Sequence, residues 1–443
     1  MKVIPMGDFL EANKINKKIS NRSYYLKFGK VTQVVGLIIK VEGLDVFIGE
    51  VCQIEINKTN KSVMAEVVGF VNKTVLLMPL DELDGIGPGC LVKPTGSALE
   101  IEINNQLLGK TLDGLGRVIT DNEPLLNAEK YSVNRESPDP FKRRKIETVM
   151  STGVKAIDGI LTVGEGQRLG IFAGSGVGKS TLLGMIARYC EADVIVIGLI
   201  GERGREVTEF IENDLGPEGY KKSVIVCATS DQPPLVRLKG AFVATAIAEY
   251  YRDQGKKVIL MMDSVTRFAM AQREIGLATG EPPTSKGYTP SVFTMLPKLL
   301  ERSGMAEKGS ITAFYTVLVE GDDMNEPIAD AVRGILDGHV VLSRKIAAEN
   351  HYPAIDIQQS LSRLMKSIVT PNQYNQAGLL KENLATYSEA KDLIDIGAYK
   401  IGTNPKVDKA IEINNEIKSF LKQKVDEPST FLETTESLSR VFH

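Results

Sequence analysis

The spacing of apolar residues changes several times along the chain. Residues 1–22 are polar, with a weak helical repeat of Phe9, Leu10, Ile15 and Ile19, which predicts a short helix or arm. From Tyr24 to Val92, short β-rich runs recur at Val31–Val35, Leu37–Val41, Ser62–Val68 and Thr74–Met78. Gly and Asn-Lys turns separate them, as in a small β-barrel. Gly85-Ile86-Gly87-Pro88-Gly89 reads as its last turn. Residues 93–150, punctuated by Leu107-Leu108-Gly109 and Ser137-Pro138-Asp139-Pro140, read as a connection.

From 151 to about 369, continuous apolar runs alternate with helical stretches. Gln167–Ala173, Val194–Ile200, Val224–Ala228 and Val258–Met262 are strands buried on both faces, and Ala241–Asp253 has helical spacing. The pattern predicts α/β architecture with a parallel sheet. Beyond 370, Ile411, Ile413, Ile417, Phe420 and Leu421 fall at helical spacing. The expected organisation is an arm (1–22), a β-barrel (23–92), an α/β domain (93–369) and a helical C-terminal domain (370–443).

Composition narrows the function classes. The 443 residues carry a formal net charge of −3, without the basic excess of a dedicated nucleic-acid binder. The densest basic run, Lys142-Arg143-Arg144-Lys145, reads as a solvated linker. No segment approaches the ~20 consecutive apolar residues of a membrane span, and the N-terminus lacks a signal-peptide pattern. Any membrane role is then peripheral. Cys52, Cys90, Cys190 and Cys227 form no CxxC pair, which argues against zinc and fits a reducing cytoplasm.

The strongest chemical signal is Ala173-Gly174-Ser175-Gly176-Val177-Gly178-Lys179-Ser180, between a strand and the helix that Thr181 continues. It matches the phosphate-binding loop of P-loop enzymes except for Ala173 at the first position. Glycines let the backbone N–H groups of residues 174–178 turn inward on phosphate oxygens, and the helix N-terminus adds positive potential. Lys179 reaches the β- and γ-phosphates of ATP, and the Ser180 hydroxyl can ligate Mg²⁺. Asp263 ends an apolar strand run, where a second Mg²⁺-coordinating carboxylate sits in such enzymes; a cap on the helix that follows is the alternative. Glu202, in Gly201-Glu202-Arg203-Gly204-Arg205-Glu206, is placed to polarise water, with Glu206 as a rival. Arg363 could serve a neighbouring subunit's γ-phosphate or a surface ion pair. Tyr352 could stack on a base or lie in the core.

Several longer stretches carry a resemblance. Gly201–Glu206, Asp263–Ala269 and His351-Tyr352-Pro353-Ala354-Ile355-Asp356 resemble the family of rotary ATP synthase catalytic subunits and type III protein-export ATPases. Asp263–Glu274, Gly280-Glu281-Pro282-Pro283, Gly287–Phe293 and Tyr315–Asp323 are similar to its flagellar export branch. The resemblance implies an N-terminal β-barrel, a RecA-like P-loop ATPase core and a helical C-terminal domain, assembled as a homohexamer. By motif match it places Glu202 on the general base, Arg203 on a γ-phosphate-sensing arginine, Asp263 on the Mg²⁺ site, Arg363 on the arginine finger and Tyr352 on the adenine-stacking tyrosine. It implies ATP and Mg²⁺ as cofactors and a peripheral place at the cytoplasmic face of the inner membrane. The implied partners are a stator-like regulator on the N-terminal arm, a central-stalk protein, the export gate and chaperone–substrate complexes.

Four other readings compete. A virulence injectisome ATPase would share the chemistry with other clients. A non-catalytic nucleotide-binding subunit would lack the base carboxylate, so Glu202 opposes it. A nucleic-acid translocase is opposed by the acidic balance, and a proton-coupled synthase subunit by the export-type stretches.

Overall fold

A computed structural model describes residues 27–56, 61–120, 123–319, 321 and 323–442. The expected arm at 1–22 lies outside them. The described chain divides into two compact units, ending and beginning at Ala98 and Leu99.

The first unit is a closed barrel of β1 (Gly29–Val35), β2 (Ile38–Glu42), β3 (Glu50–Glu55), β4 (Ser62–Val71), β5 (Thr74–Pro79) and β6 (Leu91–Ala98). The order around it is β1-β2-β5-β4-β3-β6, closed by antiparallel pairing of β1 with β6. Alternate residues point inward, so Val31, Ile39, Val41, Ile54, Val67, Leu77 and Val92 fill the interior. The strand β6 runs past the turn at Gly85–Gly89 to Ala98, whereas the sequence pattern ended the barrel at 92. Its polar Lys93-Pro94-Thr95-Gly96 stretch hides the period-two signal.

The second unit is built on a nine-stranded sheet. Its main path comprises β7 (Lys110–Asp113), β8 (Arg168–Ala173), β9 (Val194–Ile200), β10 (Ser223–Ala228), β11 (Lys257–Asp263), β12 (Ser310–Leu318), β13 (Gly338–Leu342) and β14 (Ile355–Ser362). The order is β14-β13-β8-β12-β11-β9-β10-β7, and all neighbours are parallel except β13 and β14. Every residue of β9 is buried, as a parallel sheet covered on both faces requires. The segment read as a connection contributes the edge strand β7, paired with β10. The basic run within it is not simply solvated: Arg143 and Arg144 donate to the carbonyls of Glu301, Ser303, Ala306 and Gly309.

The C-terminal helices Pro371–Asp395, Pro405–Leu421 and Phe431–Arg440 begin with capped first turns. Ile417, Phe420 and Leu438 share one apolar cluster with Ile157, Leu182 and Ile197. Gln423 fastens this region to the loops around 153 and 352 and to the helix that begins at Lys155: its Nε2 donates to Gly153 O, its Oε1 accepts from Lys155 N, and its N–H donates to Tyr352 O.

Candidate functional site

The loop 174–178 links β8 to the helix Lys179–Tyr189. Two of its glycines need positive φ, Gly176 at 76° and Gly178 at 87°, a region that side-chain-bearing residues rarely enter. Gly174 has another reason: a Cβ there would lie 2.7 Å from the Arg344 guanidinium. With Ala173 aligned in the strand, the departure from the usual first glycine costs the loop nothing.

A cleft of about 800 Å³ opens over this loop at the C-terminal ends of β8, β9, β11 and β12, where open α/β sheets bind ligands. Three sequence-predicted residues converge inside it. Lys179 Nζ donates a short hydrogen bond to Asp263 Oδ1 and lies 3.8 Å from Glu202 Oε1. Asp263, 5% exposed, also accepts from Thr316 Oγ1 at 2.7 Å. It does not cap the following helix; Ser264 does, accepting from Arg267 N.

Glu202 follows β9 after Gly201, whose φ of 71° turns the chain into the cleft. Burial first, and then the Asp263 charge, push its carboxyl up to about 7, while Lys179 pulls the other way. Among the described residues its Oε1 is buried without a hydrogen-bond partner. The rival Glu206 is more exposed and pairs with Arg203 at 3.6 Å. Geometry therefore favours Glu202 as the group that acts on water in a desolvated site. Arg203 stands exposed at the cleft mouth.

Ser180 and Thr181 line the same cleft. Among the described residues no group of three His, Cys, Asp or Glu side chains could hold a metal on its own. A hydroxyl and a carboxylate beside a phosphate-binding loop suit Mg²⁺, which keeps waters and is held jointly by protein and phosphates. Tyr352 lies outside the cleft lining and is 42% exposed; its ring is 3.6 Å from where a Cβ on Gly178 would stand. It is not a core residue, and its exposed ring can meet a base. Arg363 is not brought into the cleft. It is exposed after β14, its N–H donating to Asp337 O and its Nη2 to Arg333 O.

Sequence reasoning missed residues that support the site, Thr316, Arg267 and Arg344 among them. Thr316 reaches Asp263 from the neighbouring strand. Arg267 lays its stem against Gly201 and leaves a buried Nε without a partner. Arg344 covers Gly174. Only Arg267 left a signal, at four residues from Asp263 on the helix that opens beside it.

Comparison with known proteins agrees with this architecture. The nucleotide-binding domain model of the ATP synthase alpha/beta family matches residues 153–362, and that family's beta-barrel domain matches 31–96. The C-terminal domain of the type III secretion ATPase EscN matches 369–440. The flagellum-specific ATP synthase of Bacillus subtilis is 53% identical over 416 residues, covering 94% of this chain and 95% of that protein. The type 3 secretion system ATPase of Xanthomonas euvesicatoria is 50% identical over 428 residues, 96% of this chain and 97% of that one. Assembled EscN from enteropathogenic E. coli superposes with a TM-score of 0.89 at 48% identity, covering 94% of this chain and all of that one. EscN in complex with its central stalk EscO gives 0.86 at 47%, with the same coverage.

Proposed function

Because the chain belongs to the ATP synthase alpha/beta family, among the flagellum-specific and type 3 secretion ATPases, we propose that its ATP hydrolysis supports chaperone release and export of flagellar proteins. ATP binding and hydrolysis follow from the family itself. The observation that carries the chemical reading is the meeting of Lys179, Asp263 and Glu202 in one desolvated cleft over the P-loop.

The residues act as follows. Incoming phosphates offer Lys179 a doubly charged partner in place of Asp263, so Lys179 turns to the β- and γ-oxygens and frees that carboxylate. Ser180 and Asp263 would hold a Mg²⁺, which would supply charge neutralisation for the transferring phosphoryl group. Glu202, ionising near neutrality, orients and polarises the attacking water through its unused acceptor. Tyr352 stacks on the adenine. Arg203 at the mouth senses the γ-phosphate.

Arg363 acts on a neighbouring copy. Its backbone is held near the N-terminal end of β8, while the P-loop begins at the other end. Six residues at ~3.3 Å each span about 20 Å, more than an arginine side chain can cover. The assembled EscN and its stalk complex support a homohexamer that engages a central-stalk protein. The arm at 1–22 binds a stator-like regulator, and the ring works at the cytoplasmic face of the inner membrane, against the export gate.

An injectisome assignment is the second reading, since the Xanthomonas euvesicatoria relative is nearly as similar as the Bacillus subtilis one. Deleting the gene separates the two: loss of filaments with effector secretion intact favours the flagellar role, and the converse overturns it. The enzymatic reading is tested by nucleotide binding and Mg²⁺-dependent phosphate release. The wild type should do both, and Glu202→Gln should bind ATP but lose at least ~10²-fold in turnover. A wild type that binds ATP without hydrolysing it would be a regulatory subunit.

A further inference from the structure

We propose that Arg168 and Asp337 are positioning residues that aim Arg363 into the site of a neighbouring copy of the chain. This rests on the trans reading of Arg363 given above. Arg168 opens β8 and grips Asp337 with three donors. Its backbone N–H and Nε donate to Oδ2 at 3.1 and 3.0 Å, and its Nη2 donates to Oδ1 at 3.1 Å. Two parallel N–H···O bonds fix direction as well as distance, which a single-point contact does not. Glu301 Oε1 holds the remaining edge of the guanidinium, 2.6 Å from Nη1.

Asp337 passes this placement to Arg363 through its own backbone. Its carbonyl accepts the Arg363 N–H at 3.1 Å and the Gln167 Nε2 at 3.1 Å. Gln167, fully buried, also donates to Ser362 Oγ at 3.1 Å. Gln167, just before the P-loop strand, and Arg168, its first residue, thus clamp both Asp337, which holds Arg363, and Ser362, which precedes it. Gly338 tightens the junction: a Cβ there would lie 2.5 Å from Leu361 O, so β13 and β14 press together where the finger leaves the sheet. The Arg363 side chain rests on a neutral carbonyl, that of Arg333, at the C-terminal end of the helix Pro327–Ile335. Among the described residues no carboxylate pairs with it, so its charge remains available to an anion elsewhere.

Electrostatics favours a permanent clamp. Burial works against the Arg168 charge, but Asp337 and Glu301 more than compensate and hold its proton affinity above the ordinary arginine range. Only 13% of the Arg168 side chain and 26% of Asp337 are exposed, so salt screens the pair weakly. A finger delivered to another subunit has no local partner to correct its aim. A misplacement on the order of 1 Å can cost up to ~10²-fold in rate.

The test separates positioning from mere stability by mixing chains. Asp337→Asn keeps the shape and removes the forked ion pair. Alone, it should lose roughly tenfold in kcat, with KM for ATP changed less than about twofold. Mixed in equal amounts with Glu202→Gln chains, whose sites are dead but whose fingers are intact, it should recover several-fold, because its own sites then meet good fingers. Arg363→Ala, mixed in the same way, is the reference. Recovery of Arg363→Ala but not of Asp337→Asn overturns the inference, since Asp337 would then serve only its own sheet. So does a normal Asp337→Asn beside an inactive Arg363→Ala. A normal Arg363→Ala instead brings down the trans reading, and this inference with it. If Asp337→Asn fails to fold, Arg168→Lys carries the same test, keeping the charge and losing the fork.

Discussion

Glu202 is a carboxylate kept where its charge is disfavoured, and two measurements follow from that placement. Its pKa of about 7 lies above the ordinary glutamate value because burial and Asp263 oppose ionisation. As the base it must be ionised, so kcat/KM for ATP should fall roughly tenfold per unit as pH drops below about 7. The stability effect has the opposite sign. A raised carboxyl pKa gives stability that is fully present below the unfolded value and lost as pH rises through the folded one. Nucleotide-free Glu202→Gln should therefore match the wild type near pH 4. It should exceed it at pH 8 by on the order of 2 kcal/mol, read from denaturant unfolding. Equal stability at pH 8 would mean that Glu202 is solvated and is no tuned base. Lys179 and Ser180 were legible because a P-loop is a local object whose chemistry depends on consecutive residues. Thr316 and Arg344 were not, because one reaches Asp263 from a strand and the other covers Gly174 from the start of a helix, both far away in sequence.

At the scale of elements, the sheet is held by polar joints that no hydropathy pattern announces. Arg302, 1% exposed, forks onto Glu249 with Nε to Oε1 at 3.0 Å and Nη2 to Oε2 at 2.6 Å. Its Nη1 donates to Val133 O, which ties residues 99–133 to the long helix Pro234–Asp253. Removing one partner strands the other charge in the interior. Glu249→Ala should cost about 3–5 kcal/mol, while Glu249→Leu combined with Arg302→Met should cost much less. Chemical denaturation of the three proteins checks this, and equal losses in single and double variants would mean that packing alone matters there. The apolar strands β8–β11 were readable because burial on both faces leaves a continuous run. β7 and β14 escaped because they lie at the ends of the sheet path with polar residues: Lys110 and Asp113 in one, Gln358 and Gln359 in the other. An edge strand needs only one row of partners and carries little apolar signature.

At the scale of the molecule, the trans reading proposed for Arg363 makes each chain contribute to two active sites. Lys179, Asp263 and Glu202 stand at the C-terminal edge of the sheet, and Arg363 is anchored near the start of β8, at the opposite edge. The C-terminal helices share their apolar cluster with the core beneath the P-loop. No helix among the described residues is long and apolar enough to cross a membrane. On the trans reading a chain alone binds ATP but lacks the finger for its γ-phosphate. Mg²⁺-ATPase rate per chain should climb steeply with protein concentration as neighbours meet, then level off once rings are complete. An arginine finger is worth about 10³–10⁵ in rate, so Arg363→Ala should stay low at every concentration while still binding nucleotide. Sedimentation on the same samples ties the rise to assembly. A rate per chain that is flat with concentration, together with a normal Arg363→Ala, would return every catalytic group to a single chain.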